Sequence, residues 1–78
     1  MSNDESAAPK IIPVRSVPIE LCQFIKFGGL AGSGGAAKAA IGEGKVRVNG
    51  AIETQKRKKL IAGDRVTLDG RTLVVHLR

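Results

Sequence analysis

The hydrophobic period of this chain changes once, and the change sits between Ser33 and Gly50. Up to Ile41 the apolar residues recur at helical spacing, and from Lys45 onward they recur at every second residue. The first pattern suits a helix and the second a strand, so a short helical part has to be joined to a β part. In the join, Lys45-Val46-Arg47-Val48 alternates, sending Val46 and Val48 to a core and Lys45 and Arg47 together to the opposite face. Asn49-Gly50 then turns the chain, because both residue types tolerate the positive φ that a tight hairpin requires.

Ser16, with Pro18 in the first turn, opens a helix in which Leu21, Phe24, Ile25 and the end residue Phe27 share one apolar face, and Gly28-Gly29 stops it. Glu20, Gln23 and Lys26 fall on the opposite face. A second helix starts at the capping Ser33, presents Ala37, Ala40 and Ile41, and ends at Gly42 and Gly44. Its small residues allow close packing on the first helix. Strands are expected at residues 51–54, 59–61, 65–68 and 73–77, with turns at Gly63-Asp64 and Asp69-Gly70. Ile11, Ile12 and Val14 make a short extended piece that Pro13 confines to a sheet edge. The register after Asn49-Gly50 has two solutions. A two-residue loop pairs Val48 with Ala51, whereas a longer or bulged turn buries Ile52, and burial of Ile52 is the expectation.

The expected architecture is therefore α+β: two short packed helices followed by a small bent, mainly antiparallel sheet. With 78 residues the chain has room for one domain, expected at residues 10–78. Residues 1–9 are polar, without apolar periodicity, and are expected to be a disordered tail. Cys22 is the only cysteine, so no internal disulfide forms, and its neighbours Leu21 and Phe24 make it a buried structural residue. No apolar run reaches the ~18 residues of a membrane span, and the first residues are acidic and polar where a secretory signal is basic and then apolar. A cytoplasmic monomer without membrane contact is expected.

Thirteen Lys and Arg against seven Asp and Glu give a net charge of +6. Eight basic residues against three acidic ones lie between Lys38 and Arg65, so that segment holds +5 of it. Such a concentration favours an anionic partner, nucleic acid first and an acidic protein second. Within it Lys56-Arg57-Lys58-Lys59 is a run of adjacent like charges, expected in the loop before the Leu60-Ile61 strand. Phe24 and Phe27 are the only aromatics, and both are expected in the core. Without Tyr or Trp the chain lacks the stacking platforms of single-strand binders, which points to backbone and shape recognition of structured RNA.

Other chemistries find no support. Gly32-Ser33-Gly34-Gly35-Ala36-Ala37 fits a dinucleotide fingerprint formally, but Leu30-Ala31 is too short for the strand that must precede it, and the chain is too short for a doubly wound sheet. What survives is the ability of a helix start to contact phosphate. His76, in the terminal strand, has no ligand or catalytic partners at a recognisable spacing, so the chain is read as non-catalytic, with no cofactor and no metal. A DNA-reading helix-turn-helix is disfavoured because the second helix offers mostly Gly and Ala where base-reading side chains are needed.

Leu21 and Ile25, then Ser33, Ala37 and Ile41, then Gly44-x-Val46-x-Val48-Asn49-Gly50, and finally Gly63-Asp64 before a strand together resemble the small RNA-binding domain named after ribosomal protein S-four, the alpha-L fold. The likeness runs from about Ile19 to Leu68. Glu20-Leu21-Cys22, Ser33-Gly34 with Ala37-Lys38, and Glu53-Thr54-x-Lys56-Arg57 are similar to its free-standing bacterial branch. One departure is Gly34, Gly35 and Ala36, where many members carry an arginine directly after the helix-starting serine. The resemblance implies two helices on a bent sheet that present basic positions to structured RNA, ribosomal RNA being one candidate. The implied contacts are Lys38 on the second helix, Lys45 and Arg47 on the following strand, and Lys56, Arg57, Lys58 and Lys59 in the adjacent loop. The competing reading is a protein-interaction module that applies the same basic face to an acidic partner in a ribosome or RNA-processing complex.

Overall fold

The computed structural model describes residues 9–78, so all but the last residue of the expected N-terminal tail lies outside the described residues. Strand β1 (Lys10–Val14) and strand β2 (Ile19–Glu20) precede helix α1 (Leu21–Phe27) and helix α2 (Gly34–Gly42). Strands β3 (Val46–Val48), β4 (Ala51–Ile52), β5 (Lys59–Leu60), β6 (Arg65–Leu68) and β7 (Arg71–Leu77) follow. The main sheet runs β1-β7-β6-β3-β4, antiparallel throughout except that β1 lies parallel to β7. Pro13 thus sits on an edge strand, where its missing N–H costs no ladder bond on the open side. β2 and β5 form a separate antiparallel pair.

One face of the sheet makes the core. Alternation buries Ile12 and Val14 on β1, Val46 and Val48 on β3, Val66 and Leu68 on β6, and Leu73 and Val75 on β7. Leu21, Cys22, Phe24 and Ile25 of α1, Ala37 and Ile41 of α2, Leu30 and Leu60 complete it. Burial of Phe24 and Ile41 alone removes enough apolar surface to contribute several kcal/mol, at about 25 cal/mol per Å².

Both helices end in the same device. Beyond α1, the Gly29 N–H donates to the Lys26 carbonyl and the Leu30 N–H to the Ile25 carbonyl, with Gly29 at φ 81°. Beyond α2, the Gly44 N–H donates to Ile41 and the Lys45 N–H to Ala40. These paired bonds satisfy carbonyls that a helix end leaves open. At the start of α2, the Ser33 Oγ accepts from the Ala36 N–H at 3.1 Å.

Four expectations need correction. The first helix does not begin at Pro18: Glu20 is its extended N-cap, and Ile19-Glu20 pairs instead with Leu60-Lys59. Phe27 is not in the core but 64% exposed. Cys22 extends the buried stripe toward the other side of α1, and at about 100° per residue Phe27 then stands beside Gln23 on the outward face. Ile52 is also exposed, because Asn49 and Gly50 at φ 52° and 89° make a two-residue turn that pairs Val48 with Ala51 and Arg47 with Ile52. Lys59 belongs to β5 and not to the loop before it.

Candidate nucleic-acid interface

The start of α1 is covered by backbone. The Leu21 N–H donates to the Lys58 carbonyl at 2.8 Å and the Cys22 N–H to the Lys56 carbonyl at 3.0 Å. Two first-turn donors without intrahelical partners thereby fix the basic run against the helix. The Lys58 N–H closes the run by donating to Gln55. The carbonyls of this segment face the helix, and the side chains of residues 56–59 are exposed.

An open groove of about 430 Å³ results between the two helices and this segment. Lys26 of α1, Lys38 of α2, and Lys56 and Arg57 of the loop line it, with Gln23, Cys22, Gly34 and, as the single carboxylate among the described residues, Glu20. Gly34 opens α2, whose first turn holds no acidic residue, so the positive end of the helix dipole adds to the basic character of this groove. Glu20 is the local counter-charge. Its Oε2 lies 3.4 Å from Arg57 Nε and 3.4 Å from Lys59 Nζ, and its side chain is only 22% exposed whereas those of Arg57 and Lys59 are 77% and 63%. Glu20 therefore anchors the two cations while leaving most of their surface open to solvent.

The other expected contacts lie elsewhere. Lys58 and Lys59 line a second depression together with Asn49, Glu53 and Asp64. Lys45 precedes β3, pairs with Glu43 at 3.1 Å, and lines a depression walled by Ala36, Ala39 and Ala40 of α2. Arg47 stands on the solvent face of the sheet beside Ile52 and Thr67, its Nη1 3.4 Å from the Gly50 carbonyl. Lys45 and Arg47 are both exposed, but Lys45, just before the strand, is engaged with Glu43 beside α2, whereas Arg47 is engaged with the Gly50 carbonyl on the sheet's solvent face. Lys26 is a groove residue that sequence reasoning does not reach. Its position on the polar side of α1 is legible, and its proximity to the basic run is not.

The Asn49 and Gly63-Asp64 elements, distant in sequence, form one bonded unit. The Asn49 Nδ2 donates to Asp64 Oδ1 at 3.1 Å, the Arg65 N–H donates to Asn49 Oδ1 at 3.0 Å, and the Asn49 N–H donates to the Arg65 carbonyl at 2.7 Å. Asp64 Oδ2 accepts from the Ile61 N–H at 2.9 Å. The hairpin tip is thus tied to the chain that follows the basic run.

A pair of helices on a mainly antiparallel sheet is the architecture of an alpha-L module. The S4 domain family model matches residues 12–76, and the chain belongs to that family. It is 47% identical over 57 residues to the Escherichia coli (strain K12) protein named "Putative RNA-binding protein YbcJ", covering 73% of this chain and 81% of that one. The YbcJ protein of Shigella flexneri matches to the same extent. The solution structure of E. coli YbcJ, described as revealing an alfaL motif involved in RNA-binding, superposes with a TM-score of 0.63 at 41% identity, over 97% of this chain and 91% of that one. Among the described residues no helix is long and apolar enough to cross a membrane.

Proposed function

We propose that this protein is a non-catalytic module that binds structured RNA through its phosphate backbone, with ribosomal RNA as one candidate partner. The observation that supports this reading is the convergence of Lys26, Lys38, Lys56 and Arg57, from three separate segments, on one open groove in which Glu20 is the single carboxylate among the described residues. Cations gathered in this way would repel one another without an anionic ligand, and phosphates at the spacing of a nucleic-acid backbone supply it. The names of the YbcJ relatives agree with the reading. Lys58 and Lys59 flank the groove and extend the path to neighbouring phosphates, whereas Lys45, in the depression on the other side of α2, and Arg47, on the sheet's solvent face, contribute through the wider field.

Salt titration of binding to an RNA hairpin tests this. Neutralisation of about four phosphates lowers affinity on the order of a hundredfold between 50 and 200 mM salt, taking the duplex slope as a guide. Lys38→Gln weakens binding more than Arg47→Gln. A flat salt response, or binding to lysate proteins that survives nuclease treatment in place of RNA binding, overturns the reading in favour of an acidic protein partner.

A further inference from the structure

The exposed face of α1 carries a second groove, of about 520 Å³, between that helix and the segment that leads from β1 to β2. Phe27 forms one wall, and Pro13, Pro18 and Ile19 supply other apolar surface. Arg15 and Arg78 also line it, and among the described residues no acidic side chain does. A solvent-exposed phenylalanine at 64% is out of place on a helix whose core-facing side is already filled by Leu21, Cys22, Phe24 and Ile25. Its apolar ring is left without the burial that stabilises its neighbours. Gln23, one helical turn before Phe27, lines both this groove and the basic groove of Lys26 and Lys38, so the two adjoin across α1.

We infer that this groove takes an unpaired nucleobase, stacked on Phe27, from a strand whose phosphates continue into the basic groove. The inference rests on the RNA-binding reading and adds a preference for a duplex with a single-stranded extension over a blunt one. Three features select this occupant. An exposed aromatic face gains from stacking on any base, since every base has a π-face. Two arginines, faced by no acidic side chain among the described residues, suit the phosphates on either side of that base. Gln23, with an amide that both donates and accepts, stands at the junction where the base edge emerges. An acidic peptide satisfies the arginines but has no reason to follow the path past Gln23 into the basic groove.

The chain has no Trp and no Tyr, so Phe27→Trp introduces a single reporter at the site. Its emission is followed with three RNA probes: a blunt hairpin, the same hairpin with a short oligoadenosine extension, and that extension made abasic. Quenching by the extended hairpin alone is the expected result. In parallel, Phe27→Ala and Phe27→Leu lose about tenfold in affinity for the extended hairpin and nothing for the blunt one. The Leu variant keeps an apolar side chain at the helix end, which separates loss of the ring from loss of packing. Equal binding of both hairpins by wild type and Phe27→Ala overturns stacking while leaving the RNA-binding reading intact. Failure to bind any of the three RNAs overturns both.

Discussion

Asn49 and Asp64, fifteen positions apart in sequence, are joined side chain to side chain at 3.1 Å, and through this bond the hairpin tip holds the loop that enters β6. Asn49 also occupies positive φ and makes two further bonds with the Arg65 backbone. It therefore supports the turn by its backbone and the neighbouring loop by its amide.

The two roles separate by mutation. Asn49→Gly keeps the backbone conformation but loses the side-chain bonds, and we expect a destabilisation of about 1 kcal/mol. Asn49→Ala loses the bonds and adds the cost of a left-handed conformation for a residue with a Cβ, of order 1 kcal/mol more. Urea unfolding of both variants measures the difference, and equal midpoints would show that the turn is not under conformational constraint.

Val46 is fully buried on β3, and the neighbouring Lys45 is exposed. Val46→Asp places a carboxylate in the core and should remove most of the stability or unfold the protein. Lys45→Glu exchanges an exposed pair with Glu43 for an exposed repulsion, a change of less than about 1 kcal/mol. Thermal unfolding distinguishes the two, and similar melting temperatures would reverse the facing of this strand.

Among the described residues Glu20 is the one carboxylate in the basic groove, held by Arg57 and Lys59. Glu20→Gln removes a charge that competes with phosphate, so RNA affinity should rise about threefold at low salt and the gain should fade as salt increases. Stability should change by under about 1 kcal/mol, because both cations are largely solvated. A fall in RNA affinity would mean that Glu20 orients Arg57 and Lys59 productively and does not merely neutralise them.

Replacing Lys56, Arg57, Lys58 and Lys59 together by Gln preserves the carbonyls that cap α1, since those bonds use the backbone. The fold should survive. Affinity should fall for many RNA sequences alike, and the salt slope should flatten by about one unit for each phosphate that is no longer neutralised. Circular dichroism confirms the fold and titration at several salt concentrations reads the slope. Unchanged affinity in the folded variant would remove this run from the interface.

Much of the architecture is legible because its causes are local. Ser33 as a cap, glycine stops after both helices, alternation at Val46-Arg47-Val48 and turns at Asn49-Gly50 and Asp69-Gly70 each follow from sterics or hydrogen bonds within a few residues. The β6 strand and the edge position of Pro13 are legible for the same reason. Ile52 departs from expectation because apolar character alone does not compel burial. The two-residue turn has a fixed register that outweighs one exposed isoleucine.

By itself the sequence determined the two kinds of secondary structure, most of the strand facings, the basic charge of the segment from Lys38 to Arg65, and the family resemblance. Only the tertiary structure decided which cations meet. The pairing of Ile19-Glu20 with Lys59-Leu60 brings together residues about forty positions apart, sets the first residue of α1, and lays the basic run against that helix beside Lys26 and Lys38. The same packing fixes the rotation of α1 and leaves Phe27 outward next to Gln23. Periodicity within a segment reports which side is apolar. The partner that buries that side, and so the rotation itself, is chosen by contacts distant in sequence, whose energies no local pattern contains.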